Sequence, residues 1–168
     1  MKAVQTEIHK ASNSSLKAAV TTYTYDAQRI MKCEDYKTVE SFNENIDKII
    51  KKDNSIGTNI RDGLENGLHS LMNDWCGENN DRKIIILILN KYDRHSRFGI
   101  GGEDGIIETS KAIQEAGITI FAFTVARLFN IDRQLTTIVS SKDDIIPMVA
   151  GYDDVNFIND FLSKICNT

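Results

Sequence analysis

The sequence has no long apolar run and no stripe of basic residues. Its 168 residues include 20 Lys and Arg, scattered between 24 Asp and Glu. The formal net charge is −4 and the pI is about 5.4. A helix that spans a bilayer needs about 20 consecutive, mostly apolar residues. A surface that binds nucleic acid needs clustered positive charge. The sequence therefore predicts neither membrane insertion nor a nucleic-acid partner.

Cysteines in the pattern of a zinc site are also missing. The three cysteines, Cys33, Cys76 and Cys166, form no Cys-x-x-Cys pair. An odd number leaves at least one thiol without a partner inside the chain. Two interpretations stay open: Cys166 bridges to a segment outside this sequence, or all three cysteines are unpaired.

A secretory signal is not evident at the N-terminus, because no apolar stretch follows Lys2. This is expected for an intracellular protein and equally for a mature or partial piece of a larger one. The composition, 41% hydrophobic and 26% charged, is that of a globular protein, and the length predicts one domain.

The motifs of common enzyme sites are absent as well. Residues 99–102 (Gly-Ile-Gly-Gly) lack both the spacing of a dinucleotide-binding loop and the lysine of a P-loop. Residues 93–96 (Asp-Arg-His-Ser) contain the residue types of a catalytic triad, but neighbours in sequence seldom reach triad geometry. We therefore predict a protein that is not an enzyme. An α/β enzyme acting on a nucleotide or phosphate is the less favoured alternative.

What the chain does have is an alternation of strand and helix patterns. Apolar residues three and four apart predict amphipathic helices, and β-branched or aromatic runs predict strands. Gly117 is predicted to close a helix, and Pro147 suits an edge strand. This order is typical of an α/β fold with a largely parallel sheet. The predicted helices span residues 3–10, 36–52, 60–72, 105–116, 131–140 and 155–165, and the predicted strands span residues 16–25, 28–33, 84–89, 118–125 and 145–149, of which the first two form a hairpin.

Residues 84–89 are six consecutive apolar residues. Such a run predicts a strand that is buried on both faces, between helices. The helix over residues 60–72 is predicted to bury a stripe that ends at Leu71 and Met72, and Thr58 or Asn59 is its natural N-cap.

Three polar residues near the predicted strand ends are candidate metal ligands. Thr58 supplies a hydroxyl, and the loop after Leu89 supplies Asn90 or Asp93. Ligands of parallel sheets bind outside the carboxyl ends of the strands. Magnesium and manganese ions prefer oxygen ligands of these kinds, so we predict a weak hard-cation site formed by Thr58, Asn90 and Asp93.

From about residue 16 to its end, the chain resembles the von Willebrand factor type A domain, also called the integrin I-like domain. The most specific matches are residues 57–59 (Gly-Thr-Asn) and residues 117–123 (Gly-Ile-Thr-Ile-Phe-Ala-Phe). The resemblance implies a Rossmann-like three-layer αβα sandwich with a mostly parallel sheet and one antiparallel edge hairpin strand. Further matching pieces are residues 19–27, 36–38, 56–64, 82–89, 116–125 and 161–166.

Domains of this family bind protein ligands, often through a metal-ion-dependent adhesion site built from three loops. Thr58 matches the threonine of the second loop. Where the third loop has Thr-Asp-Gly, this chain has Leu89-Asn90-Lys91, so an amide replaces a carboxylate. The Asp-x-Ser-x-Ser loop is absent. The resemblance thus implies a degenerate adhesion site, with Mg²⁺ or Mn²⁺ bound weakly or not at all. A working Mg²⁺- or Mn²⁺-dependent adhesion domain is the alternative.

The first strand of the family, which lies in the middle of the sheet, also has no counterpart. Without it, the hairpin must pair directly with the strand over residues 84–89, or a groove stays open between them. We therefore expect residues 1–168 to form a single, N-terminally incomplete domain of this type. We also expect it to be extracellular, within a larger protein, and to bind a protein of the extracellular matrix or the cell surface.

Overall fold

An antiparallel hairpin and a parallel sheet are the two β-structures of the described residues. In the hairpin, β1 (Val20–Tyr23) pairs with β2 (Ala27–Met31), with Tyr23 opposite Ala27 and an irregularity after Val20. The predicted hairpin is confirmed, although both of its strands are shorter than predicted. The computed structural model describes residues 17–24, 26–35, 38–50, 59–73, 82–89, 102–124, 135–147 and 163–164.

The second sheet is parallel and contains three strands in the order β3 (Ile84–Leu89), β4 (Thr119–Thr124) and β5 (Ile145–Pro147). β5 pairs with β4, and Pro147 is its last residue, opposite Thr124. Pro147 therefore lies at the edge of the described sheet, as predicted, where a missing backbone donor is tolerated.

Three α-helices have described bounds: α1 (Val39–Ile50), α2 (Ile60–Asn73) and α3 (Gly102–Glu115). Residues 135–138 and 163–164 are also helical. α2 and α3 pack against each other, and α2 also packs against both strands of the hairpin. No helix of the described part is long and apolar enough to cross a bilayer.

α3 ends as its sequence predicts. Gly117 has a φ of 74°, in the left-handed region that favours glycine. Its N–H donates to the carbonyl of Gln114 (2.9 Å), and the N–H of Ile118 donates to the carbonyl of Ile113 (3.2 Å). These paired bonds stop the helix and lead the chain directly into β4.

Two hydrophobic clusters of buried residues belong to the described core. The larger lies between α2, α3 and the parallel sheet, and the smaller lies between the hairpin and α1. β4 is buried on both faces: Ile120 and Ala122 belong to the larger cluster, while Phe121 and Phe123, each 1% exposed, point the other way. The smaller cluster consists of Val20, Met31 and Phe42, with Ala18 packed against it.

Two burial predictions were wrong. β3 was predicted to be buried on both faces, but Ile84, Ile86 and Ile88 are only half-buried. β3 pairs with β4 along one edge, and none of the other described strands pairs with its second edge. Met72, predicted to belong to the buried stripe, is 55% exposed. Each helical residue turns about 100° from the one before it, which carries Met72 past the half-buried Leu71 and out of the core.

Cys33, buried just after β2, is disulfide-bonded. The alternative of three unpaired cysteines is therefore wrong. Neither Cys76 nor Cys166 is among the described residues, and the predicted helix over residues 3–10 also lies outside them.

Candidate functional site

The first turn of α2 begins at a side-chain cap. The Asn59 Oδ1 accepts a hydrogen bond from the backbone N–H of Asp62 at 3.2 Å. Asn59 is therefore the N-cap. Of the two residues that the sequence offered for this position, Thr58 and Asn59, the structure identifies Asn59. A capping asparagine satisfies one of the N–H groups that a helix start leaves without an intrahelical partner.

Asp62 ties this first turn to the hairpin. Its Oδ2 accepts a hydrogen bond from the backbone N–H of Ala27, the first residue of β2. The Asn66 side-chain amide donates back to the Asp62 carbonyl (3.1 Å) and to its Oδ1 (3.3 Å), which holds the carboxylate in place. Sequence reasoning missed this contact, because an aspartate in the first turn of a helix is already explained by the helix dipole.

Tyr23, the last residue of β1, links the two sheets. Its hydroxyl donates to the backbone carbonyl of Ile88 at 2.9 Å, near the end of β3. Its ring lies against Gly63, where an added Cβ would come within 2.8 Å of the Tyr23 Cγ. The ends of β1 and β3 and the start of α2 therefore converge at one end of the molecule.

A second hydrogen bond between the hairpin and α2 lies further along both elements. The Arg29 Nη2 lies 2.8 Å from the His69 Nδ1, so the guanidinium donates and the imidazole accepts. His69 is exposed, as its position outside the apolar stripe predicts. Two hydrogen bonds, Ala27 to Asp62 and Arg29 to His69, thus join β2 to α2.

Polar contacts also hold α2 to α3. The Arg61 Nε is 2.7 Å from the Glu65 Oε1, and the Thr109 hydroxyl donates to the same oxygen at 3.3 Å. The Arg61 guanidinium lies against Gly105, where an added Cβ would meet its Nη1 at 2.9 Å. α2 is therefore fixed on both sides, by the hairpin and by α3.

The three predicted metal ligands, Thr58, Asn90 and Asp93, all lie outside the described residues. Thr58 directly precedes the cap Asn59, and Asn90 directly follows Leu89, the last residue of β3. Each is therefore within one Cα–Cα step of about 3.8 Å of a described residue at the end where β1, β3 and α2 meet.

The donor chemistry of these three residues fits a hard cation only in part. Hydroxyl, amide and carboxylate oxygens are all ligands of Mg²⁺ and Mn²⁺, but the set carries a single negative charge. Among the residues that the structure describes, no group of three or more His, Cys, Asp or Glu side chains could hold a metal ion.

Comparison with protein families identifies one match along almost the whole chain. The family described as the von Willebrand factor type A domain matches residues 2–163. No curated protein matches the chain.

Solved structures share the fold at low sequence identity. Proximal thread matrix protein 1 from the mussel byssus, in a crystal with a zinc-occupied MIDAS motif, superposes with a TM-score of 0.74 and 22% identity. A second crystal form of that protein gives 0.75 and 20%. Both alignments cover 99% of this chain and 40% of that protein. The pilus adhesin SpaC from Lactobacillus rhamnosus GG gives 0.66 and 12%, over 99% of this chain and 26% of SpaC.

Proposed function

Because this chain belongs to the von Willebrand factor type A domain family, we propose that it is a non-catalytic protein-binding module of the adhesion type. The observation that carries the proposal is the family match over residues 2–163. It is supported by the fold shared with a byssus matrix protein and a pilus adhesin. The partner we propose is a protein of the extracellular matrix or the cell surface.

The binding face we propose is the end of the molecule where β1 and β3 finish and α2 begins. Ligands of α/β sheets bind beyond the carboxyl ends of the parallel strands. This end is firmly held, because Tyr23 links β1 to β3 and Asp62 links α2 to β2. A protein that binds through rigid elements loses less conformational entropy on association.

At this face we propose a degenerate metal-ion-dependent adhesion site. Thr58 matches the family's threonine, but Asn90 stands where the family has an aspartate. With Asp93 as the single carboxylate, we expect Mg²⁺ or Mn²⁺ to bind weakly or not at all, since affinity for hard cations rises with ligand charge. The zinc-occupied motif of the mussel protein favours the second candidate, a working metal-dependent adhesion site.

We further propose that the domain is extracellular and belongs to a larger protein. Disulfides persist mainly in oxidising compartments, and Cys33 is disulfide-bonded. The chain spans about 40% of the mussel protein and about 26% of the pilus adhesin that it matches.

A binding assay tests the proposal and separates its two candidates. The protein would be passed over immobilised collagen, fibronectin and laminin, in Mg²⁺ and then in EDTA. We expect binding to at least one of them that persists in EDTA. Complete loss of that binding in EDTA would instead support the metal-dependent site. No binding to any of the three would contradict a matrix partner.

Two matched charge reversals locate the binding face. Asp26 is exposed in the turn of the hairpin, at the proposed face, and Glu115 is exposed at the end of α3, next to the start of β4. We expect Asp26→Lys to weaken binding and Glu115→Lys to leave it unchanged. The opposite ranking would place the contact at the other end of the sheet.

The non-catalytic part of the proposal has its own test. A thermal-shift screen of nucleotides and inorganic phosphate should give no change in Tm, because the sequence has no phosphate-binding loop. A ligand present at 100 times its Kd would stabilise the fold by about 2.7 kcal/mol, which such a screen detects. A clear increase in Tm with one nucleotide would support the enzyme alternative.

A further inference from the structure

We propose that the disulfide partner of Cys33 is Cys76, and that this bridge fastens the end of the hairpin to the end of α2. Cys33 is disulfide-bonded and 1% exposed. The sequence has three cysteines, so the partner within the chain is either Cys76 or Cys166. The inference does not depend on the proposed function.

The first reason is the direction in which β2 and α2 run. Ala27, the first residue of β2, bonds to Asp62 in the first turn of α2. Two residues later, Arg29 bonds to His69, two turns further along the helix. The two elements therefore run side by side in the same direction, and their C-terminal ends lie at the same end of the molecule.

The second reason is length. A strand rises about 3.3 Å per residue and β2 ends at Met31, two residues before Cys33, so Cys33 lies at most about 20 Å beyond Ala27. A helix rises 1.5 Å per residue, so Asn73, the last residue of α2, lies about 16 Å beyond Asp62. Cys76 follows Asn73 by three residues, which reach at most about 10 Å. That reach covers the remaining difference along this direction, and the bridge itself spans the roughly 5.5 Å between the Cα atoms of a disulfide.

The third reason is the position of the chain near Cys166. The Lys164 side-chain ammonium donates to the backbone carbonyl of Asp143, just before β5. The hairpin lies beside β3, to which Tyr23 bonds. Since the strand order is β3, β4, β5, the hairpin and β5 are at opposite edges of the parallel sheet. Adjacent strands are about 4.8 Å apart, so β3 to β5 alone takes about 10 Å, before the distance to the hairpin is added. Lys164 therefore lies away from the hairpin, and Cys166 follows it by only two residues, which reach at most about 7 Å.

The bond forms by oxidation of two thiols. Cys33 and Cys76 together lose two protons and two electrons, and one Sγ–Sγ bond replaces two S–H bonds. The oxidant is a disulfide, either of a thiol oxidoreductase or of oxidised glutathione, which is reduced to two thiols through a mixed-disulfide intermediate. Cys166 is then left without a partner inside the chain.

Tryptic mapping without reduction tests the pairing, because the three cysteines fall on three different peptides: residues 33–37, 62–82 and 165–168. The protein, made under oxidising conditions, would first be denatured and alkylated with iodoacetamide. We expect one cross-linked species that joins 33–37 to 62–82, and an alkylated 165–168. Reduction should remove the cross-linked species completely. A species joining 33–37 to 165–168, or an alkylated 33–37, would overturn the proposal.

Single substitutions provide the matched controls. Cys166→Ser should keep the cross-link between 33–37 and 62–82 unchanged. Cys76→Ser should abolish it and leave Cys33 available to iodoacetamide. Retention of a disulfide at Cys33 in the Cys76→Ser protein, together with its loss in Cys166→Ser, would assign the bridge to Cys166 and refute the proposal.

Discussion

The hydroxyl of Tyr23 donates a hydrogen bond to the backbone carbonyl of Ile88, 2.9 Å away. A side chain of the hairpin thereby provides a hydrogen-bond donor to a backbone carbonyl of the parallel sheet. The two groups belong to elements 65 residues apart in sequence. This bond joins β1 to β3 on the side of β3 where the described residues provide no neighbouring strand.

We predict that Tyr23→Phe lowers the free energy of unfolding by about 1 kcal/mol, the usual contribution of one neutral hydrogen bond. The ring stays in place, so the loss reports the hydroxyl alone. Urea denaturation followed by circular dichroism measures it. Ser140→Ala, at an exposed position, should change the value by less than about 0.5 kcal/mol. Equal stability of Tyr23→Phe and the parent protein would show that the bond contributes nothing.

Two glycines of α2, one helical turn apart, should respond to alanine with opposite signs. At Gly63 the new methyl would meet the Tyr23 ring at 2.8 Å, and overpacking of this kind costs about 1–3 kcal/mol. At Gly67 the nearest atom is the mobile Cδ1 of Ile85, at 3.3 Å. There the better helix propensity of alanine should raise stability by up to about 1 kcal/mol.

Repeating Gly63→Ala in a protein that lacks the Tyr23 ring tests whether the ring causes the destabilisation. In a Tyr23→Ala protein the contacts with the ring atoms are gone and only the Cβ of residue 23, at 3.2 Å, remains close, so Gly63→Ala should lose most of its cost. Chemical denaturation of the four proteins completes a double-mutant cycle. A Gly63→Ala effect that is the same with and without the ring would refute the steric explanation.

We predict that Asp62→Asn is more harmful than Glu65→Gln on the same helix. Asp62 accepts the Ala27 N–H with a charged oxygen in a partly buried position, and such bonds contribute about 1.5–3 kcal/mol. Glu65 pairs with Arg61 in an exposed position, where ion pairs contribute about 0–1 kcal/mol. Thermal or urea unfolding compares the two variants. A loss at Glu65 as large as that at Asp62 would contradict this ranking.

A carboxylate at position 90, in the proposed degenerate site, should strengthen metal binding. We predict that Asn90→Asp tightens Mn²⁺ binding by roughly tenfold or more, because ligand charge sets the affinity for hard cations. Isothermal titration calorimetry measures the change. Asn73→Asp, the same substitution at the exposed end of α2, serves as the control and should have no effect.

The same titration tests Thr58. In the Asn90→Asp background, Thr58→Ala should remove the gain, since the hydroxyl is the second proposed ligand. An unchanged Mn²⁺ affinity after Thr58→Ala would separate Thr58 from the site. An Asn90→Asp protein that binds no better than the parent would place Asn90 outside it.

The sequence was sufficient to predict a structural feature where a single residue determines the backbone conformation. Gly117 predicted the end of α3, because the left-handed residue that follows a helix is usually glycine. β4 begins two residues later. The alternation of helix and strand patterns predicted the α/β class, and the family match over residues 2–163 confirms the resemblance.

Burial was harder to predict, since it depends on what covers each face. Residues 84–89 have the composition of a central strand, yet Ile84 and Ile86 are half-buried. The contact of Asp62 with Ala27 had no sequence signal, because the two residues are 35 positions apart. The metal-site prediction at Thr58, Asn90 and Asp93 stays a prediction.

The two hydrophobic clusters have a consequence for how the domain opens. Among the described residues the smaller cluster has only Val20, Met31 and Phe42, whereas the larger has twelve buried residues, so less buried apolar surface holds the hairpin and α1 than holds the parallel sheet. Such units often unfold below the global free energy. Amides of β2 should therefore exchange with deuterium through a sub-global opening, while those of β4 exchange only through complete unfolding.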